Sequence, residues 1–344
     1  MYSYQTIPIR KSITKVPAWL TCLVIACPSV ALSQLKEDDD KVSIRAVGDF
    51  SDYFGGKLTT IDLELSSDAN REIEVRWSIK LNSQPLIRRS STQNLAAAKP
   101  HLYQVEFESP IPKDGVVLPC TLEVDILGQK DELLASDTKQ IWFFPKDPFY
   151  ENTTWLKSLD ITLVDPLGET TELLESSAVP FRKAVASQGD IGKGMLIVGV
   201  GARWDAVIEQ LVRQAIFAGR PVLCFAPKRG ELRLGTLQAR SQLPEVSLRN
   251  LSFVSQLDKR LSPARCESNG RCNIANDRGE LIVTISEKDD GWDFLELKDT
   301  KTRGHLILCC TSFDETSSPT PRYLLARLFE RLCPNTISIT ELSK

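Results

Sequence analysis

The segment at residues 194–205, GMLIVGVGARWD, joins an apolar strand pattern to a Gly-x-Gly turn and then to a helical pattern. A dinucleotide site would need a third glycine three residues later and an acidic residue at the end of the following strand. Trp204 stands at the third glycine position, and the next strand ends in CFAP at residues 224–227. These departures argue against NAD or FAD, and we expect no cofactor.

The sequence also gives little support for a nucleophilic active site or a metal site. The chain contains neither a P-loop nor the G-x-S-x-G turn of serine hydrolases. His305 precedes Cys309 and Cys310 by four and five residues, which separates them by more than about 13 Å along an extended strand. With two histidines in the whole chain and no CxxC pair, a metal site is not expected. No catalytic residue is assigned, and the sequence favours a non-catalytic protein.

The positions where the predicted strands end nevertheless indicate a binding crevice. Ligands of open α/β sheets collect at the carboxyl ends of the strands, which points to Asp165, Gly201, Arg203 and Trp204 as ligand-binding candidates. An alternative assigns Asp165 to a turn cap, Arg203 to solvent and Trp204 to the core.

Two kinds of periodicity divide the chain. Segments such as KLTTIDLELSS and EIEVRWSIKL alternate apolar and polar residues, and they predict an all-β immunoglobulin-like sandwich over residues 42–146 with Trp77 in its core. A proline-containing hinge follows at 147–157. Residues 158–344 alternate apolar strands with amphipathic helices and predict a doubly wound α/β domain, with an inserted hairpin near 280–300.

The strands and turns of the second half carry a family resemblance. ITLVDPLGETTELLESSAVPFRKA, GMLIVGVGARWD, AGRPVLCFAP and GHLILCCTSFDETSSPTPRYLLARLFERL resemble the class I glutamine amidotransferase-like, flavodoxin-type domain. They are similar to the degenerate versions found beside immunoglobulin-like sandwiches in secreted proteins related to family 2 glycoside hydrolases. The family's G-x-C-x-G nucleophile and downstream His-x-Glu have no counterpart here. The resemblance therefore implies a fold and a carbohydrate context, and it argues against amidotransferase chemistry.

The N-terminus indicates export. Three basic residues precede an apolar run that is too short to span a bilayer, and Ala31 and Ser33 fit the signal peptidase pattern. We expect a signal peptide at 1–33 and an acidic linker at 34–41, which leaves a periplasmic or extracellular protein with no transmembrane helix after signal removal. An alternative is lipoprotein anchoring at Cys27.

Cysteine spacing predicts one disulfide, and net charge bears on nucleic-acid binding. The loop CESNGRC makes Cys266 and Cys272 the disulfide candidate. A formal charge of -3 and a pI of about 5.7 argue against a nucleic-acid partner.

Two function classes remain open. One is an exported binding or accessory protein that recognises a glycan or another exported protein. The other is a glycoside hydrolase-related enzyme that uses carboxylates such as Asp165 at the carboxyl end of the sheet.

The export hypothesis predicts the first residue of the mature chain. Mass spectrometry of the exported protein should find Gln34 at the N-terminus, because cleavage is expected after Ser33. A lipid-modified N-terminal Cys27 would contradict this cleavage site and support the lipoprotein alternative.

Overall fold

The computed structural model describes residues 41–47, 52–150, 152–185, 192–227, 229–236, 245–278, 280–288, 290–313 and 318–334. These residues belong to one compact unit. The predicted signal peptide and Cys27 lie outside the described residues, as does the predicted linker except for Lys41. None of the helices in the described ranges is long and apolar enough to cross a membrane.

The first eight strands form two sheets that face each other. A three-stranded sheet has the order β1-β3-β6, and a five-stranded sheet has the order β2-β8-β7-β4-β5. All pairs are antiparallel except β2 with β8. The strands are β1 (Val42–Ala46), β2 (Asp52–Phe54), β3 (Leu58–Ser67), β4 (Arg71–Leu81), β5 (Gln84–Leu95), β6 (His101–Glu108), β7 (Leu118–Leu127) and β8 (Leu133–Phe144).

The alternation seen in the sequence produces the core between these two sheets. Along β4, Ile73, Val75, Trp77 and Ile79 are buried, whereas the residues between them face outward. Trp77 packs against Phe107 of the opposite sheet with 6.1 Å between ring centroids. The predicted core position of Trp77 is confirmed.

The second half is built on a seven-stranded mixed sheet with the order β10-β9-β11-β12-β18-β17-β14. The five strands from β10 to β18 in this order are parallel, and β17 and β14 are antiparallel to their neighbours. The strands are β9 (Ile161–Val164), β10 (Phe181–Lys183), β11 (Leu196–Val198), β12 (Pro221–Phe225), β14 (Glu245–Arg249), β17 (Phe294–Lys298) and β18 (His305–Cys309).

The two faces of this sheet are covered differently. One face packs against α1 (Thr153–Ser158), α2 (Glu169–Ser176), α4 (Phe253–Leu257) and α5 (Pro319–Leu332). The other packs against α3 (Ala206–Phe217) and a three-stranded antiparallel sheet, which consists of β13 (Gly230–Thr236), β15 (Arg271–Asp277) and β16 (Glu280–Ser286). The molecule is therefore mostly β-sheet, and a small sheet occupies part of a face where the sequence predicted crossover helices.

The hairpin predicted near 280–300 would pair β16 with β17, but the structure pairs each of these strands with other partners. β16 pairs with β13 and β15, whereas β17 pairs with β14 and β18 of the large sheet. β17 belongs to the large sheet because Phe294, Leu295 and Leu297 are all buried, as in a strand that is covered on both faces. The Asp-Gly turn thus connects two sheets.

A buried ion pair joins the sandwich to the second half. Asp52 of β2 accepts a hydrogen bond from Nη1 of Arg265 at 2.9 Å and another from the Thr320 hydroxyl of α5. The Asp52 and Arg265 side chains are only 1% and 8% exposed. The Arg265 guanidinium also lies over the rings of Trp142 and Phe144, 4.8 and 5.1 Å from their centroids. We call this arrangement the Asp52–Arg265 junction.

Apolar contacts extend the junction into a shared core. Phe54 and Phe144 of the sandwich belong to the same buried cluster as Tyr323 of α5, and the Phe144 and Tyr323 centroids lie 5.2 Å apart. The Tyr323 hydroxyl donates a hydrogen bond to the Lys146 carbonyl at 2.8 Å. Trp155, in the segment predicted as a hinge, is buried in this cluster as well. The connection between the two halves is therefore packed.

Removing the cation of the junction should destabilise the fold. Arg265→Met leaves the Asp52 carboxylate buried without its charged partner, and we expect a loss of about 3–5 kcal/mol in the free energy of unfolding. Urea denaturation measures it. The matched control is Arg76→Met, because Arg76 is 47% exposed and its ion pairs lie at the surface, where each is worth about 1 kcal/mol or less. Equal losses in the two variants would contradict the structural role of the junction.

Candidate functional site

A crevice of about 560 Å³ opens where β9 and β11 end and α3 begins. Its lining is mostly apolar, and we call its four charged residues the rim. The apolar lining consists of Val164, Pro166, Ala184, Val185, Ala202, Val207 and Ile208. The charged lining consists of Asp165, Lys183, Arg203 and Asp205.

Asp165, the first predicted ligand residue, lines the crevice and also caps a helix. Its Oδ2 accepts a hydrogen bond at 2.7 Å from the backbone N–H of Thr171, in the first turn of α2. Its Oδ1 is buried and has no hydrogen-bond partner among the described residues. A Cβ atom placed on Gly199 would lie 2.8 Å from that oxygen, so the glycine permits the close approach of the carboxylate.

Gly201 shapes the turn beside the crevice. Its φ of +75° is in the left-handed region, and a Cβ atom there would overlap the side chain of Leu167. In the same turn, the N–H of Val200 donates a 2.8 Å hydrogen bond to the hydroxyl of Thr170 in α2. The turn that follows β11 is thereby bonded to the first turn of α2, and the positive φ of Gly201 permits this turn.

Arg203 and Trp204 have different environments. Arg203 is exposed at the rim of the crevice. Trp204 is half-buried, packs against the hydrophobic cluster that contains α3, and is not part of the crevice lining. Its indole N–H is buried without a hydrogen-bond acceptor in the described part of the chain. The structure therefore brings Asp165 and Arg203 together, with Gly201 in the adjoining turn and Trp204 packed beside α3.

The sequence analysis missed two charged residues of the rim, Lys183 and Asp205. Asp205 is the N-cap of α3 and accepts hydrogen bonds from the N–H groups of Val207 and Ile208 at 3.0 and 3.1 Å. An aspartate just before an amphipathic helical pattern is a recognised N-cap signal, so this residue could have been found. Lys183 ends an edge strand of three residues and carries no comparable signal.

The four charged residues of the rim differ in whether other groups of the protein bind their side chains. The carboxylates of Asp165 and Asp205 accept hydrogen bonds from helix backbone N–H groups, whereas Lys183 and Arg203 form no ion pair with any acid in the described ranges. Because Asp205 already occupies the first amides of α3, the helix terminus is not open to an anion. Lys183, Arg203 and the unpartnered Oδ1 of Asp165 are the crevice groups that remain for a polar ligand.

The remaining titratable groups do not form a nucleophilic centre. Burial raises the pKa of Cys224 far above its usual range, and burial raises the pKa of Cys309 to about 12. His305 Nε2 lies 2.9 Å from Glu296 Oε1. Burial raises the pKa of Glu296, but hydrogen bonds from His305 and Arg331 outweigh burial and hold the pKa well below its usual range. His305 is thus bonded to a buried carboxylate and is not paired with a cysteine.

The predicted disulfide partners pack against different hydrophobic clusters. Cys266 packs against the cluster on the α5 side of the large sheet, whereas Cys272 belongs to the cluster on the α3 side. Each is a free thiol in the structure. Across the described ranges, no group of three or more His, Cys, Asp or Glu side chains is arranged to hold a metal ion.

Comparison with known proteins yields weak structural likeness. No family model and no curated protein matches the chain. A cycloisomaltooligosaccharide glucanotransferase from Paenibacillus sp. is similar over 71% of this chain and 34% of its own, with 12% identity and a TM-score of 0.29. Bacteroides uniformis β-glucuronidase 2 is similar over 54% and 23%, with 11% identity and a TM-score of 0.24.

A smaller protein is similar to a shorter part of the chain. A Niemann-Pick type C2 protein from the Japanese carpenter ant is similar over 31% of this chain and 94% of its own, with 12% identity and a TM-score of 0.23. Distant structural neighbours thus include carbohydrate-active enzymes.

The capping role of Asp165 leads to a stability prediction. Asp165→Ala removes the acceptor of the Thr171 N–H and should lower the free energy of unfolding by about 1 kcal/mol. Asp165→Asn should cost less, because its amide oxygen can still accept the hydrogen bond. Thermal and urea denaturation measure both, with Asp114→Ala in an exposed turn as the control. If Asp165→Ala were as stable as Asp114→Ala, Asp165 would have no structural role.

Proposed function

We propose that this chain is an exported, non-catalytic binding or accessory protein that acts in a carbohydrate-related context. The observation that supports the proposal is the crevice at the ends of β9 and β11, whose walls are apolar and whose rim offers Lys183 and Arg203. Pre-formed concave sites with a few placed polar groups are the usual form of small-ligand sites. The expected ligand is a glycan, with an exported protein as the alternative partner.

The use of the carboxylates favours binding over catalysis. Glycoside hydrolysis normally requires two carboxyl groups that flank the scissile bond, one as acid and one as base or nucleophile. Asp165 and Asp205, the two carboxylates that line the crevice, each accept a hydrogen bond from the first turn of a helix. Both carboxylates therefore have a structural role at the start of a helix.

The proposal also covers export of the chain and its division into domains. We infer export from the signal-peptide pattern at residues 1–33, with lipoprotein anchoring at Cys27 as the alternative. We assign residues 42–146 to an immunoglobulin-like sandwich and 158–344 to a degenerate, doubly wound relative of the glutamine amidotransferase-like domains. The five parallel strands and the crossover helix α3 between β11 and β12 support that assignment.

A glycan-binding screen tests the proposal. The full chain should show saturable binding to at least one member of a panel of neutral and acidic oligosaccharides. Arg203→Ala and Lys183→Ala should each weaken that binding about tenfold or more, the effect of losing one charged hydrogen bond. The matched control is Arg88→Ala, because Arg88 is exposed on β5 of the sandwich, outside the crevice.

Three outcomes would overturn parts of this proposal. An absence of saturable binding across the panel, or equal binding by Arg203→Ala and Arg88→Ala, would contradict a glycan site in the crevice. Release of reducing sugar by the wild type, lost in a folded Asp165→Asn variant, would establish the hydrolase alternative.

A further inference from the structure

Two buried cysteines meet between the small sheet and the large sheet. Cys272 belongs to β15, and Cys310 directly follows β18. Their exposed fractions are 0% and 1%, and both belong to the hydrophobic cluster on the α3 side of the large sheet. They therefore come from distant parts of the chain and share one side of the core.

The backbone holds both residues against the same short segment. Cys272 exchanges two backbone hydrogen bonds with Trp292, at 2.8 and 3.0 Å. The N–H of Cys310 donates to the carbonyl of Asp293, the next residue, at 2.8 Å. The N–H of Asn269 in turn donates to the Cys310 carbonyl at 2.7 Å, so the chain that leads into Cys272 crosses directly over Cys310.

The thiols of Cys272 and Cys310 belong to the same buried cluster and interact with each other. A hydrogen bond with the Cys272 thiol, followed by burial, raises the pKa of Cys310 far above its usual range. The neighbouring Cys309 points to the other face of the sheet, where its Sγ lies 2.9 Å from the Thr311 hydroxyl. Cys266 also belongs to that other face. The geometry therefore joins Cys272 to Cys310 and separates it from Cys266, the partner that the loop spacing predicted.

We propose that Cys272 and Cys310 form a disulfide when the chain folds in an oxidising compartment, and that this bond ties the small sheet to the large one. The oxidant is a low-molecular-weight disulfide such as oxidised glutathione. The thiolate of one cysteine attacks a glutathione sulfur, releases one reduced glutathione and forms a mixed disulfide. The thiolate of the second cysteine then attacks the protein sulfur and releases the second glutathione. The two cysteines lose two protons and two electrons, which the glutathione disulfide gains.

Refolding followed by peptide mapping tests the proposal. The reduced, denatured full chain is refolded in a buffer of reduced and oxidised glutathione, its remaining thiols are alkylated, and it is digested with trypsin. Cleavage after arginine separates residues 266–271 from 272–278, whereas Cys309 and Cys310 both remain in 304–322. We expect 272–278 linked to 304–322. The urea midpoint of the oxidised chain should be higher than that of the reduced chain.

Single substitutions identify the sulfur atoms. The linked peptide should disappear in Cys272→Ser and in Cys310→Ser and persist in the matched controls Cys266→Ser and Cys309→Ser, with circular dichroism confirming that each variant folds. Where a serine variant fails to fold, the corresponding alanine variant replaces it. Alkylation of both Cys272 and Cys310 in the refolded wild type would overturn the proposal. A link between 266–271 and 272–278, or a linked peptide lost in Cys309→Ser and retained in Cys310→Ser, would overturn it as well.

Discussion

The guanidinium of Arg265 lies buried between the carboxylate of Asp52 and the rings of Trp142 and Phe144. A buried charge is costly unless a partner of opposite charge lies beside it, and here the carboxylate and the rings all belong to the sandwich. Nη2 of the same guanidinium donates a 2.9 Å hydrogen bond to the Arg260 carbonyl in the second half. Each half therefore completes the surroundings of the other, and separating them would leave Asp52 and Arg265 without their partners.

This constraint has consequences for the crevice. The chain leaves the sandwich after β8, packs Phe149 and Trp155 into the shared core, and enters β9 after α1. The loop that carries Asp165 follows β9 directly and leads into α2, whose Thr170 hydroxyl accepts a hydrogen bond from Val200 in the turn after β11. Binding residues on loops are effective when a rigid scaffold positions them. The junction and the shared core fix the start of that scaffold, so the rim presents Lys183 and Arg203 in a defined place.

Local patterns predicted much of this arrangement. Period-two alternation identified the strands around Trp77, and the continuous apolar run before Gly199 identified a strand buried on both faces. The rule about strand ends placed Asp165 and Arg203 on one edge of the sheet. The two glycines proved to have different roles: Gly201 supplies a positive φ, whereas Gly199 provides space for the Asp165 carboxylate.

Long-range pairing was beyond the reach of those patterns. β16 and β17 look alike as neighbouring apolar segments, and only their partners in three dimensions assign them to different sheets. Cys272 and Cys310 share one buried cluster, and Asp52 pairs with Arg265, although the members of each pair are far apart in the chain. Periodicity predicts neither arrangement. Trp204 follows the end of β11, where a crevice residue is expected. Its large apolar side chain packs beside α3 instead.

The most direct test of this account is differential scanning calorimetry of the full chain. Because the sandwich and the large sheet share a core and a buried ion pair, they should unfold in one transition whose calorimetric and van't Hoff enthalpies agree. Two resolved transitions, with the sandwich and the second half melting independently, would contradict the claim that the Asp52–Arg265 junction makes them one cooperative structure.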